Sequence, residues 1–351
     1  MTWAVIYRRP GDPAEVWEVT EIEDPAAPGH GQIQVEVSAF PIHPGDLLHM
    51  VAESSSAPRI ATRGGLEATG VGAAVGPGVA RFGPGDRVTV FPHPGAWSGR
   101  INVAADVAVP VPTGLSEDVA AQLLVNPITA VLLRRAAEQH FAAGFDGVVL
   151  NNAATSAVGR LFTAVAEYHR LPTISIVRST EGASRLRLRF PNVPIVATSD
   201  SEWADQVRAG AADRPIAVAL DPVGGPMTDD LLGLLTAGGR LVLYGKLGGD
   251  DIAVRASTIL DSDLAVTAMT IGRWLDSVST ERRASDVAEA LSLAVSVPQH
   301  FEVAGRFGLD DLPGAVRLLS TPGKIGVVLA GPAARPGAAQ PNSGVVGQEP
   351  K

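Results

Sequence analysis

The chain has 351 residues, a formal net charge of −9 and an isoelectric point near 5.3. This acidic balance disfavours nucleic-acid binding, because neutralising phosphates requires clustered Lys and Arg. The sequence contains no cysteine, which excludes disulfides, cysteine-ligated zinc, iron–sulfur clusters and cysteine nucleophiles. With 46% hydrophobic residues, the chain can bury a large core, and its length favours two domains.

The first residues, Met1–Tyr7, have the composition of a strand. They lack the basic start and the long apolar stretch of a secretion signal. The sequence has no uninterrupted run of about 18 apolar residues, so we expect no membrane span. We therefore expect a cytoplasmic protein that binds neither a membrane nor nucleic acid.

Up to about Pro112 the sequence predicts short β-strands. Alternating runs such as Gln32–Val37 are separated by turns rich in glycine and proline at 76–78 and 83–86. Many short strands at this spacing are typical of a compact, barrel-like domain.

A different pattern begins near Ser116, where Ser-Glu-Asp predicts a helix start and a helical segment extends to about His140. From Gly147 onward, apolar strands alternate with helical segments. The predicted strands are 148–150, 173–177, 195–197, 217–220 and 241–244. Continuous apolar strands that alternate with helices indicate a parallel sheet covered on both faces. The predicted fold class is therefore α/β, with a doubly wound nucleotide-binding domain.

The pattern after about Leu264 is mixed and ends in a strand-like segment at 325–329. The segment 331–351 is rich in Pro, Ala, Gly and polar residues and shows no hydrophobic periodicity. We expect this tail to be disordered.

A phosphate-binding turn is predicted at 149–159. Such a turn follows a strand, opens a helix and uses small residues so that backbone N–H groups can approach a pyrophosphate. Ala153 and Ser156 stand where a dinucleotide-binding turn often has glycines, and only Gly159 remains. An ordinary strand–helix turn is the alternative interpretation.

The end of the second predicted strand indicates which nucleotide is bound. NAD sites usually place an acidic residue there to bind the ribose 2′-hydroxyl, whereas Arg accommodates a 2′-phosphate. Here the strand is followed by Arg178, Ser179 and Thr180, which favours NADPH. Arg185, Arg187 and Arg189 add local positive charge, although a solvated helix face is an alternative explanation for them.

Several segments together resemble the medium-chain dehydrogenase/reductase superfamily. Within it, the sequence is similar to the mitochondrial-type 2-enoyl thioester reductases and to the quinone oxidoreductases. The segments that carry this resemblance are 4–7, 11–13, 41–46, 64–67, 84–88, 125–130 and 152–159. The enoyl thioester reductases also end their second strand in Val-Val-Arg, where this chain has Ile-Val-Arg at 176–178.

The resemblance implies a GroES-like β-barrel catalytic domain that is split in sequence. It would comprise 1–118 and be completed by 271–330, with a Rossmann NADPH-binding domain at 119–270 and the disordered tail at 331–351. The resemblance also implies a homodimer, paired through a strand near Leu264–Ile271, and a small-molecule or thioester substrate.

The same resemblance assigns site residues by position. It places Trp97 near the substrate channel. It places cofactor contacts at Asn126, Thr129, Thr155, Ser156, Ala157, Val158, Arg178, Ser179, Thr180, Tyr244, Gly245, Lys246, Leu247, Met269, Thr270, Ile271 and Lys324.

Zinc alcohol dehydrogenases share the fold that this resemblance implies, so zinc has to be considered. The three positions of their catalytic zinc ligands correspond to His43, Leu66 and approximately Asn126. One ligand among three cannot hold a catalytic zinc ion, which normally has three protein ligands. We therefore expect no metal.

Without a metal to polarise a carbonyl, hydride transfer from NADPH to an activated double bond becomes the favoured reaction. In the enoyl thioester reductases a tyrosine in the loop after the Asp46 position supports this step, and Ser54 stands there instead. A serine hydroxyl is shorter and less acidic than a phenol. His49 and His43 are further candidates, because histidine can donate a proton near neutral pH.

Three functions therefore stay open at the level of the sequence. The first is an NADPH-dependent reductase of a 2-enoyl thioester, an enone or a quinone. The second is a reductase of another, specialised carbonyl metabolite. The third is an NADPH-binding protein with impaired catalysis, because Ser54 replaces the tyrosine of the family.

Overall fold

The computed structural model describes residues 1–51, 62–142, 144, 147–249, 251–252, 254–321, 324 and 326–332, with the backbone alone for 48–51. Ser54 and most of the predicted disordered tail, from residue 333 onward, lie outside the described residues. The side chain of His49 also lies outside them.

The N-terminal part of the chain is mostly β-structure. Its elements are β1 (Thr2–Tyr7), α1 (Pro13–Val16), β2 (Trp17–Ile22), β3 (Gln32–Ile42), α2 (Pro44–Val51), β4 (Thr62–Arg63), β5 (Ala68–Val75), β6 (Arg87–Val90), β7 (Arg100–Ala104) and β8 (Ala108–Pro110). Residues along the first half of β3 alternate between buried and more exposed positions, as expected for a strand with one face on the core.

The central part alternates between helices and strands. Its elements are α3 (Glu117–Ala120), α4 (Val125–Ala142), β9 (Val148–Asn151), α5 (Ala157–Tyr168), β10 (Thr173–Val177), α6 (Thr180–Arg189), β11 (Ile195–Ala197), α7 (Trp203–Ala211), β12 (Ile216–Asp221), α8 (Pro226–Leu232), β13 (Arg240–Leu243), α9 (Ala256–Ser262) and β14 (Ala265–Ala268). Every residue of β9, β10 and β12 is buried, because helices cover both faces of the sheet.

The C-terminal part returns to the first domain. Its elements are α10 (Ile271–Ser277), α11 (Thr280–Ser296), β15 (Val303–Gly308), α12 (Leu312–Leu319) and β16 (Val327–Gly331). The helices α10 and α11 pack on α4, whereas β16 pairs antiparallel with β3 and parallel with β15. Residues 303–331 thus complete the sheet that the N-terminal strands begin. The exact domain boundaries that the sequence suggested remain predictions.

The central sheet is parallel throughout and has the strand order β11-β10-β9-β12-β13-β14. This is the order of a dinucleotide-binding Rossmann domain, and its direction reverses between β9 and β12. Ligands of such sheets bind in the crevice at the carboxyl ends of the strands, at that reversal. The predicted α/β fold class is confirmed.

The seven-stranded sheet of the barrel domain has the order β15-β16-β3-β5-β6-β8, with β7 also paired to β3. A small apolar cluster connects the two domains, since Ala157 at the start of α5 packs against Ala39 of β3 and Val327 and Leu329 of β16. The first turn of α5 therefore lies directly against strands β3 and β16 of the barrel domain. This contact brings the predicted phosphate-binding turn to the domain junction.

Trp97, which the family resemblance places near a substrate channel, lies in the core of the barrel. Its side chain is fully buried, stacks on Phe40 at 5.0 Å between ring centroids and meets the Trp17 ring edge-on at 4.6 Å. A Cβ atom at Gly65, which has φ +79°, would lie 2.1 Å from the indole. This packing argues against direct contact between Trp97 and a substrate.

We predict that Trp97→Ala lowers the free energy of unfolding by about 3–5 kcal/mol, because it leaves a large cavity among buried aromatic rings. Trp97→Phe should cost clearly less, since it keeps the stacking on Phe40. Urea unfolding of both variants measures the two losses. A loss below about 0.5 kcal/mol for Trp97→Ala, typical of surface substitutions, would contradict this assignment.

Candidate functional site

The predicted phosphate-binding turn is formed by the residues between β9 and α5. The Ser156 hydroxyl caps α5 by accepting a hydrogen bond from the Gly159 backbone N–H at 3.0 Å. A Cβ atom at Gly159 would lie 2.6 Å from the Ala153 carbonyl oxygen, so glycine is needed for this close approach. Ala153 itself adopts φ +52°, a left-handed conformation that alanine rarely takes. The turn thus has the geometry of a glycine-rich loop with fewer glycines.

Two buried side chains fix this turn to the strands on either side of the topological reversal. The Asn152 amide donates to the Asp221 carboxylate at 2.9 Å, which links the end of β9 to the end of β12. Asp221 also accepts hydrogen bonds from the backbone of Val223 and Gly224 and from the Thr228 hydroxyl. The buried carboxylate is thereby satisfied, and the floor of the crevice is rigid.

Arg178 lies at the carboxyl end of β10, beside the turn. Its side chain is exposed and forms no ion pair or hydrogen bond within the part of the chain that the structure describes. Ser179 caps α6 by accepting a hydrogen bond from the Gly182 N–H at 3.1 Å, and Thr180 is the first residue of that helix. Arg178 is therefore available for an anionic ligand.

The other arginines of α6 are engaged locally. Arg185 pairs with Glu181, Arg187 donates to the Ile195 carbonyl at 2.7 Å, and Arg189 pairs with Glu302. The sequence left open whether these arginines face a ligand or solvent. The structure assigns them to contacts within the protein, which leaves Arg178 as the candidate for binding a phosphate.

His43, which the family resemblance aligns with a zinc ligand of the alcohol dehydrogenases, contacts a buried carboxylate. His43 Nε2 lies 2.9 Å from Oε2 of Glu67, whose side chain is fully buried. The second carboxylate oxygen accepts the backbone N–H groups of Leu124 at 2.7 Å and Val125 at 3.3 Å. Glu67 thus holds both the imidazole and the N-terminus of α4, where the helix dipole favours negative charge.

The charge state of His43 follows from these contacts. Burial alone lowers the pKa of His43, but the hydrogen bond to Glu67 and the charges of Asp46 and Glu67 together raise it above its ordinary value. The positive charge of Lys324 opposes this rise. His43 is consequently poised to hold a proton near neutral pH.

Lys324 lies close to this pair because β16 runs beside β3, with Val328 opposite Ile42. Its ammonium group donates to the Gly326 carbonyl at 2.8 Å. Burial and the neighbouring charge of Arg160 lower the pKa of Lys324 to about 8. The amine is therefore cationic at pH 7 and close to titration.

Two further predicted cofactor residues carry buried polar atoms with no hydrogen-bond partner among the described residues. These atoms are Nδ2 of Asn126, in the first turn of α4, and the hydroxyl of Tyr244, directly after β13. Burial, with the nearby charge of Asp221, raises the pKa of the Tyr244 hydroxyl, which therefore stays protonated. Unsatisfied buried groups are rare in native proteins, and both are available to a ligand.

The remaining predicted cofactor residues follow the ends of neighbouring strands. Gly245, Lys246 and Leu247 form an exposed segment after β13. Met269 follows β14, Thr270 caps α10 and Ile271 begins it. Because the carboxyl ends of parallel strands share one edge of the sheet, the fold brings these segments to the same edge as Arg178. Thr129 lies in α4, where its hydroxyl donates to the Val125 carbonyl at 2.7 Å.

Sequence reasoning missed the roles of two residues at this junction. Glu67 stood out in the sequence only as part of a family motif, although an acidic residue close in space to a helix start is a common cap. Arg160 was not singled out, although an arginine in the first turn of a helix whose other residues as far as Ala166 are small or apolar is a detectable departure.

The structure also bears on metals and membranes. Within the described ranges, no group of three or more His, Cys, Asp or Glu side chains is arranged to hold a metal ion. None of the described helices combines the length and the hydropathy needed to cross a membrane.

Sequence comparison identifies relatives over most of the chain. Residues 29–120 match the Alcohol dehydrogenase GroES-like domain family. The mitochondrial enoyl-[acyl-carrier-protein] reductase of Bos taurus is 30% identical over 275 residues, which cover 77% of this chain and 73% of that protein. The Caenorhabditis elegans protein of the same name is 26% identical over 311 residues, or 86% of each chain.

Structural comparison shows the same fold in solved proteins. The quinone oxidoreductase of Escherichia coli, solved with NADPH, has a TM-score of 0.82 at 24% identity, covering 94% of this chain and 100% of that one. The quinone oxidoreductase of Thermus thermophilus has a TM-score of 0.73 at 24% identity, covering 94% of this chain and 99% of that one.

We predict a pH-dependent contribution of His43 to stability. Since the pKa of His43 is raised in the folded protein, the stability it contributes is complete below the unfolded value of about 6.5 and is lost as pH rises through the folded pKa. Urea unfolding at several pH values should therefore show that His43→Gln costs most at low pH and progressively less at high pH. The matched control is His30→Gln, at an exposed position. A cost for His43→Gln that grows with pH would contradict the assignment.

Proposed function

Because the chain belongs to the medium-chain dehydrogenase/reductase superfamily, we propose that it is an NADPH-dependent oxidoreductase that reduces an activated double bond without a metal ion. The proposed substrate is a 2-enoyl thioester, an enone or a quinone. The choice of NADPH over NADH rests on Arg178. It is an exposed cation at the end of β10, where NAD-binding proteins usually have a carboxylate.

The residues present fit a dinucleotide. The Ser156 hydroxyl caps the first turn of α5, and the backbone N–H groups of Ala157 and Val158 have no partner within a helix of this kind. Both residues are partly exposed, so a pyrophosphate can reach them. The unpartnered Asn126 amide and Tyr244 hydroxyl supply polar contacts near the domain junction. Lys324 adds a positive charge from the catalytic domain.

When bound, NADPH supplies the hydride for conjugate reduction. The protein has to orient the substrate, exclude water and provide a proton at the α-carbon. We assign the proton to His43, whose side chain is only 12% exposed. Since Nε2 of His43 contacts Glu67, the transferable proton is the one on Nδ1, and the Glu67 carboxylate stabilises the imidazolium.

The proposal that no metal takes part rests on the same residues. Glu67 already binds His43 and the N-terminus of α4, and the other two positions of the alcohol dehydrogenase zinc site hold Leu66 and Asn126. An apolar side chain and a neutral amide are poor ligands for zinc. The site is instead organised around a hydrogen-bonded imidazole.

We also propose a homodimer. The strand β14 lies at the edge of the central sheet and pairs with β13 on one side. Its residues Val266, Thr267 and Ala268 are exposed. The exposed backbone groups of an edge strand can pair with another strand, and a second copy of the chain could cover them.

We predict that Arg178→Ala weakens NADPH binding by roughly 10- to 100-fold, the loss expected for one or two charge-assisted hydrogen bonds to a phosphate. NADH affinity should change by less than about threefold, because NADH lacks the 2′-phosphate. Isothermal titration measures both. The matched control is Arg185→Ala, because Arg185 pairs with Glu181 on the same helix. An equal loss for NADPH and NADH in Arg178→Ala would overturn the assignment.

We predict that the protein oxidises NADPH in the presence of at least one member of a panel of enoyl thioesters, enones and quinones. His43→Gln should lower kcat by roughly 10²- to 10⁴-fold with NADPH affinity retained, as expected for loss of a general acid. Ser54→Tyr restores the family tyrosine and should raise the rate with enoyl thioesters. NADPH binding without turnover of any of the three classes by either wild type or Ser54→Tyr would favour a catalytically impaired protein instead.

A further inference from the structure

Arg160 is a buried cation that pairs with no carboxylate among the residues that the structure describes. It follows Gly159 in the first turn of α5 and is 2% exposed. One guanidinium nitrogen, Nη1, donates to the Thr155 carbonyl at 2.6 Å. The other two nitrogens, Nε and Nη2, have no hydrogen-bond partner among the residues that the structure describes. Buried arginines normally have their donors satisfied, so this arrangement calls for a physical explanation.

The charged groups around Arg160 leave an excess of positive charge. Glu302 is the acidic group close enough to attract it, but Glu302 already pairs with Arg189. Lys324 and His300 lie on the same side, and the charge of Arg160 lowers the pKa of both. Burial lowers the pKa of Arg160 itself to about 10, so it remains cationic at pH 7. Two arginines thus share the Glu302 carboxylate, and the Lys324 ammonium adds a further positive charge close to Arg160.

The guanidinium is directed at the phosphate-binding turn. Its bond to the Thr155 carbonyl holds the residue that precedes the cap of α5, so the charge lies beside the N-terminus of a 12-residue helix. The N–H groups of that turn and the helix dipole also favour an anion. The helix end and the Arg160 guanidinium therefore lie together, and Lys324 is close enough for the charge of Arg160 to lower its pKa.

We propose that Arg160 is a positioning residue for the pyrophosphate of the dinucleotide, and that the bound pyrophosphate, rather than a protein carboxylate, neutralises its charge. This inference rests on the proposed function. Arg160 fixes the Thr155 carbonyl beneath the turn, so that the N–H groups of the turn face the ligand. Arg178 recognises the 2′-phosphate, which distinguishes NADPH from NADH, whereas Arg160 supports the part that both nucleotides share.

The test compares three ligands. Arg160→Gln should weaken NADPH and NADH equally, by roughly tenfold, because both contain the pyrophosphate. Adenosine 2′-monophosphate, which contains the 2′-phosphate and no pyrophosphate, should bind Arg160→Gln as it binds the wild type. Arg178→Ala is the matched control. It should weaken the binding of NADPH and of adenosine 2′-monophosphate and leave the affinity for NADH nearly unchanged. Arg160→Lys retains the charge and should recover part of the affinity.

Thermal unfolding separates this role from a purely structural one. Removing an unneutralised buried charge should leave the Tm of the ligand-free protein unchanged or raised, while the rise in Tm on adding NADH should shrink. Unchanged affinity for NADPH and NADH in Arg160→Gln would overturn the inference. A lower Tm of ligand-free Arg160→Gln, combined with an undiminished rise in Tm on adding NADH, would also overturn the inference. If the wild type binds neither NADPH nor NADH, the proposed function itself is wrong. That result is independent of the Arg160 variants.

Discussion

The carboxylate of Glu67 is the contact on which the rest of the site depends. It is buried at the junction of the two domains, where one oxygen accepts the first N–H groups of α4 and the other contacts His43. A buried carboxylate is stable only when its oxygens are satisfied, and here a helix end and an imidazole satisfy it together. Moving β3, β5 or α4 would leave this charge unpaired. The position of the barrel relative to the start of α4 is therefore fixed at this junction.

The domain junction is locally positive, although the molecule as a whole is acidic. The chain carries a net charge of −9, yet Arg178, Arg160 and Lys324 all lie near the carboxyl edge of the parallel sheet or beside the first turn of α5. A dinucleotide with several phosphates needs this local field, and an acidic protein provides it only by placing a few cations where the helix dipole adds to them. Among these three cations Arg178 is exposed, Lys324 is partly buried and Arg160 is buried.

Local patterning allowed the fold to be predicted in detail. The apolar runs at 148–150, 173–177 and 195–197 became β9, β10 and β11, because strands covered on both faces must be apolar throughout. The strand β15 was not predicted, since Val303–Gly308 contains two glycines and all of its residues are partly or fully exposed. The packing of Trp97 in the core of the barrel was likewise not predicted. A motif fixes a position along the chain, whereas the stacking of Trp97 on Phe40 depends on how β3 and the following loops come together.

The sequence by itself determined the α/β class, the superfamily, the strand–turn–helix unit at 149–159 and the position of Arg178 after β10, because these follow from hydrophobic patterns and motifs that are local in the chain. Tertiary structure alone decided which charges meet. His43 lies 24 residues from Glu67, and Arg160 is far along the chain from both Glu302 and Lys324. Whether a carboxylate is paired, or an arginine is left without one, depends on burial and on distances between separate strands and helices. No local pattern of residues specifies those distances.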